Sequence, residues 1–125
     1  MKKQIETAAA PKAIGPYSQA IQVGNTVYIS GQIPLDPNTA QMVEGGIESE
    51  TKRVLENIKA IIKASGGEMA NIVKTTILLT DMNDFSKVNE IYASYFSPPF
   101  PARATFQVSR LPRDARIEIE AIGQI

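Results

Sequence analysis

The chain has 125 residues, 43% hydrophobic, 21% charged and 6% aromatic, and thirteen Lys+Arg balance thirteen Asp+Glu to a net charge of zero. This is the composition of one globular domain, expected to span residues 1–125, and it lacks the basic excess of a nucleic-acid binder. There is no Cys and no His, which excludes thiol nucleophiles, disulfides, Cys/His zinc sites, Ser-His-Asp triads and imidazole acid–base chemistry.

Lys2 and Lys3 are followed by Gln4, Glu6 and Thr7 rather than an apolar stretch, so no secretion signal is expected. No run of about 18 apolar residues occurs, which predicts a cytoplasmic protein with no membrane partner. Ala20–Val23 and Thr26–Ser30 read as a hairpin closed by Gly24-Asn25. Pro34, Asp36, Pro37 and Asn38 make a turn-rich connection up to Gly45-Gly46. Ile47, Val54, Leu55, Ile58, Ile61 and Ile62 then recur at helical spacing, with Gly66-Gly67 as the stop. The β-branched run Ile72–Thr80 predicts a mostly buried strand. Asp84 is placed as the N-cap of a second helix carrying Phe85, Val88, Ile91, Tyr92, Tyr95 and Phe96, ended by Ser97-Pro98-Pro99.

Two strands close the chain, Arg103–Ser109 and Arg116–Ile122, joined by Leu111-Pro112-Arg113-Asp114. Their alternation assigns Ala104, Phe106 and Val108, with Ile117, Ile119 and Ala121, to the core. Arg103, Thr105 and Gln107 are then expected to share the opposite face with Glu118 and Glu120, as one polar array. The order ββαβαββ predicts a two-layer α+β domain, a mixed sheet with two helices on one face. The other face, bearing alternate residues of Ile72–Thr80, is expected to be covered by self-association.

Five blocks in order, IGPYSQA (14–20), VYISGQIPLDP (27–37), VKTTILLTDMNDFSKVNEIYASYF (73–96), PARATFQVSRLP (101–112) and IEIEAI (117–122), resemble the RidA/YjgF family of reactive-imine deaminases over essentially the whole chain. The resemblance implies a chorismate-mutase-like homotrimer with its sites between subunits. It also implies hydrolysis of 2-imino acids and their enamine tautomers, such as 2-aminoacrylate, 2-iminobutanoate and 2-iminopropanoate, to 2-keto acids and ammonium. No cofactor and no metal are implied, and the functional link is to the pyridoxal-phosphate-dependent dehydratases that release such imines.

Residue by residue, the resemblance makes Arg103 the grip on the substrate carboxylate and Glu118 the group that activates water or carries its proton. Tyr17, Gly31 and Asn89 become substrate contacts, and Phe85 closes the pocket from a neighbouring subunit. Thr105 stands where a common version of the family has Cys, which argues against an obligatory thiol there. The chemistry suits the roles: guanidinium donates two parallel hydrogen bonds to a carboxylate, one carboxylate serves water both as base and as acid, and Gly admits a ligand close to the backbone. Two other readings stay open at this level: a trimer that binds small carboxylates without turning them over, and an RNA-cleaving translation inhibitor. The second has neither imidazole nor basic excess behind it.

Overall fold

The apolar spacing after Gly46 folds as expected. In the computed structural model, which describes residues 1–125, helix α1 runs Ile47–Ala64 and buries Val54, Leu55, Ile58, Ile61 and Ile62. Glu48 and Glu50 lie in its first turn and Lys63 in its last, each charge matched to its end of the helix dipole. Gly66 ends the helix at φ +95°, a left-handed conformation that lets the Gly66 and Gly67 amides donate to the Lys63 and Ile62 carbonyls, both at 3.0 Å.

Helix α2, Phe85–Tyr95, follows a single turn at Met82–Asp84. Asp84 stands at its N-cap position but makes no side-chain capping bond. The chain starts to coil one turn earlier, and there Asp81 takes that role, accepting from the Asn83 amide at 2.9 Å.

Six strands, β1 (Lys2–Ile5), β2 (Ala20–Val23), β3 (Thr26–Gln32), β4 (Ile72–Leu79), β5 (Ala102–Gln107) and β6 (Ile117–Gln124), form one mixed sheet in the order β1-β2-β3-β6-β4-β5. The hairpin at Gly24-Asn25 forms, with Val23 opposite Thr26. Strand β1 was not anticipated: its Lys-Lys-Gln-Ile sequence carries no alternating pattern, and it pairs only with β2 at the sheet edge. The β4–α2–β5 crossover makes the one parallel pair, and the remaining pairs are antiparallel.

Both helices lie on one face of this sheet, against Val27, Ile29, Ile77, Leu79, Ile117 and Ile119. The two-layer α+β arrangement is therefore as predicted. No helix covers the opposite face, where Tyr28, Leu78 and Phe106 project. The chain has no helix long and apolar enough to cross a membrane.

Strand β5 departs from its predicted orientation. It pairs in parallel register with β4, Thr75 opposite Arg103, Ile77 opposite Thr105 and Leu78 opposite Phe106. Paired residues share a face, so Arg103, Thr105 and Gln107 follow buried Thr75, Ile77 and Leu79 to the helix side. Phe106, expected in the core with Ala104 and Val108, is instead 55% exposed on the uncovered side. Alternation identifies two faces, but on an edge strand it does not say which one the core takes. The predicted polar array is thereby split: Leu78 stands opposite Glu118, which puts Glu118 and Glu120 on the uncovered face, away from Arg103.

Candidate active site

The first group of site residues gathers where β5 meets α2. Phe85, Asn89 and Tyr92, spaced by four and three, present one face of α2 to Arg103. The Arg103 Nη1 donates to Asn89 Oδ1 at 2.7 Å, while its guanidinium carbon lies 4.9 Å from the Tyr92 ring centre and 5.4 Å from that of Phe85. Arg103 has no carboxylate partner in its own chain. A permanent cation is thus held in place with donors to spare, beside a hollow of about 390 Å³ lined by Asn89, Tyr92, Phe100, Pro101 and Arg103 itself. Two residues on, Thr105 Oγ1 is enclosed and has no hydrogen-bond partner.

The second group lies on the uncovered side. A cleft of about 700 Å³ is lined by Tyr17, Ser30, Gly31, Arg113, Glu118 and Glu120, among others. Pairing of Ile29 with Ala121 but Gln32 with Ile119 places a bulge at Ser30-Gly31. The Glu118 carboxyl group lies directly over Gly31, so that a Cβ there would approach its Cδ to 2.8 Å and clash with Oε2. Burial, and secondarily the charge of Glu120, hold the Glu118 carboxyl above the usual carboxylate range.

The walls of this cleft are pinned by buried amides. Gln19, 2% exposed, accepts from the Thr7 amide at 2.8 Å and donates to the Pro11 carbonyl at 2.8 Å, tying down the segment that leads to Tyr17. Asn57 of α1 donates to the Leu35 carbonyl at 3.0 Å on the other wall. Glu50 accepts from the Arg116 amide at 3.3 Å and pairs with its side chain at 3.6 Å, just before Glu118.

The structure therefore brings Arg103, Asn89 and Phe85 together, with Thr105 beside them, and brings Glu118, Gly31 and Tyr17 together around the cleft. It does not bring the two sets together within one chain. Sequence reasoning missed Tyr92 as a neighbour of Arg103, although its helical spacing from Phe85 and Asn89 was there to find. It also passed over Asn57, which sits between Val54 and Ile61 on the buried stripe of α1, where a polar residue needs a partner.

The contact at Gly31 carries a prediction. Gly31→Ala should fold, because the atoms in its way are the flexible end of one side chain. If Glu118 activates water, as the resemblance implies, the variant should nevertheless lower turnover about 10²-fold, since displacing that carboxylate by an ångström spoils its alignment. Thermal melting beside kcat separates the two effects: a variant of wild-type activity would mean that the position of Glu118 over Gly31 is immaterial.

Comparison with known proteins gives the chain its relatives. The model of the endoribonuclease L-PSP family matches residues 7–125. A mouse 2-iminobutanoate/2-iminopropanoate deaminase is 57% identical over 123 residues, 98% of this chain and 91% of that protein. A Yersinia pestis structure from the conserved Rid family superimposes with a TM-score of 0.97 at 51% identity, covering 100% of both chains. The structure of E. coli TdcF with bound serine superimposes with a TM-score of 0.93 at 43% identity, over 98% of each chain.

Proposed function

This chain belongs to the endoribonuclease L-PSP family, the RidA/YjgF proteins, and from that membership we propose that it hydrolyses small reactive 2-imino acids to 2-keto acids and ammonium. The observation that carries the reading is Arg103: held by Asn89, faced by two aromatic rings and free of any carboxylate in its own chain. Such a group is suited to the carboxylate of a small acid. The names of relatives at 55–57% identity point to the same substrates. Serine bound to TdcF supplies an α-carboxylate of the same kind. RNA cleavage, the activity in the family's description, draws no support from a chain of zero net charge without His.

The two groups of residues lie on opposite faces of one sheet, and a three- or four-carbon acid cannot span it. In the proposed assembly a second copy brings its Arg103, Asn89, Phe85 and Thr105 to the cleft that holds Glu118, Gly31 and Tyr17. Repetition around a threefold axis gives a homotrimer and buries the apolar side chains of the open face. Arg103 orients the substrate by its carboxylate. Glu118 takes a proton from water as the oxygen attacks C2, the C=N bond opening to a tetrahedral carbinolamine. The same proton passes to nitrogen; the C–N bond then breaks as the carbinolamine hydroxyl gives its proton to Glu118 and the C=O bond forms, and Glu118 passes that second proton to the departing ammonia, which leaves as ammonium. The substrates are those released in the cytoplasm by pyridoxal-phosphate-dependent dehydratases.

The test is a dehydratase-coupled assay that generates 2-iminobutanoate and follows keto-acid release. Micromolar protein should accelerate release over the spontaneous rate. Tight keto-acid binding without acceleration would identify a binding trimer instead.

The charge on Glu120 gives a pH prediction. Water activation needs ionised Glu118, so turnover rises with pH through the Glu118 pKa, which burial and Glu120 keep raised. Glu120→Gln removes the like charge, lowers that pKa and should move the acid limb of the kcat profile to lower pH with its plateau nearly unchanged. An unmoved limb would mean that another group sets it.

A further inference from the structure

We propose that Tyr92 is a positioning residue for the reaction: its ring sets the plane of the Arg103 guanidinium and thereby presents the remaining N–H edge to the substrate carboxylate. The proposal rests on the reading of Arg103 as the carboxylate grip. An Arg on an exposed strand edge samples many rotamers, and each must be given up when a carboxylate binds. Here three contacts restrict it beforehand. Asn89 Oδ1 fixes one terminal nitrogen at 2.7 Å, and the rings of Tyr92 and Phe85 lie against the guanidinium at 4.9 and 5.4 Å.

Of the two rings, that of Tyr92 is the better anchored. The residue is 3% exposed, its hydroxyl lies 2.7 Å from the Oγ1 of buried Thr75, and its ring centre is 4.7 Å from that of Phe96. Phe85, at the first position of α2, is only half-buried. Burial raises the Tyr92 pKa, so its hydroxyl stays protonated and the residue adds no charge beside Arg103. The cation–π attraction needs only the ring face, and this separates the two parts of the residue: the ring serves Arg103, while the hydroxyl serves the fold through Thr75.

The experiment compares Tyr92→Leu with Tyr92→Phe. Affinity for 2-oxobutanoate is measured by titration, and KM and kcat are measured in the coupled assay. Tyr92→Leu should weaken 2-oxobutanoate binding about 3- to 30-fold and raise KM in step, with kcat held because Glu118 is untouched. Tyr92→Phe keeps the ring and should bind within about twofold of wild type, although it melts earlier because Thr75 Oγ1 is left without its partner. Equal losses of melting temperature with unchanged affinity in both variants would overturn the proposal, since a purely structural Tyr behaves that way. In the wild-type protein, the side-chain Nε of Arg103 should show restricted motion by nitrogen relaxation, despite its place on an exposed strand edge; a mobile Arg103 overturns the proposal without any variant. Failure of the wild type to bind 2-oxobutanoate would overturn the carboxylate-grip reading and this proposal with it. Wild-type binding matched by Tyr92→Leu overturns this proposal alone.

Discussion

Reassembled from equal amounts of Arg103→Ala and Glu118→Gln chains, the proposed trimer should recover about a quarter of wild-type deaminase activity, more than either parent retains alone. The expectation follows from the sheet: Arg103 follows Thr75 to the helix side, whereas Glu118 stands opposite Leu78 on the uncovered side. If each site draws Arg103 from one copy and Glu118 from the next, half of the random contacts carry an intact Arg and half of those an intact Glu. Arg103→Ala alone should cost roughly 10- to 100-fold, the scale of one charge-assisted contact. Denaturing the two variants together and refolding them, with each refolded alone as a control, makes the comparison. No recovery from the mixture, with intact trimers present, would place both residues of a site on the same chain.

Glu118→Gln should lower kcat about 10²- to 10⁴-fold, the range for losing a positioned general base, while 2-oxobutanoate still binds. The amide keeps the size of the side chain over Gly31 and removes only its ability to hold a proton. In the proposed mechanism carboxylate capture belongs to Arg103 and survives. No nearby group takes over: the Thr105 hydroxyl stays protonated at neutral pH, and Glu120, one strand position pair away, points along the same open face without lying over Gly31. Single-turnover kinetics beside a keto-acid titration separates chemistry from binding. A folded variant of near-normal kcat would assign water activation to the backbone or to the substrate's own nitrogen.

How much of this was legible in the sequence depends on which neighbours each element has. The spacing of α1 and the Gly24-Asn25 hairpin are local, and both form where expected. Strand β1 owes its form to pairing with β2, and Lys2–Ile5 carries no signal of that on its own. The faces of β5 were read in reverse because an edge strand takes its orientation from register with β4, a relation between residues nearly thirty positions apart, such as Thr75 and Arg103. The residues picked out by the five family blocks fall into two spatial groups in the structure, but a block says nothing about which side of a sheet its residues occupy. Tyr92 was counted among the apolar residues of α2 because periodicity sees a ring and not the cation lying on it.

The uncovered face has a consequence for the birth of the molecule. If the proposed trimer forms from folded single chains, Val23, Tyr28 and Phe106, which are 45%, 49% and 55% exposed in one chain, stay uncovered until other copies arrive. During that interval two encounters compete, one with the matching surface of a sibling and one with any other greasy surface nearby. Refolding in the test tube should therefore have a best protein concentration: at higher dilution the orphan subunit waits too long, and at greater crowding it meets the wrong neighbour first.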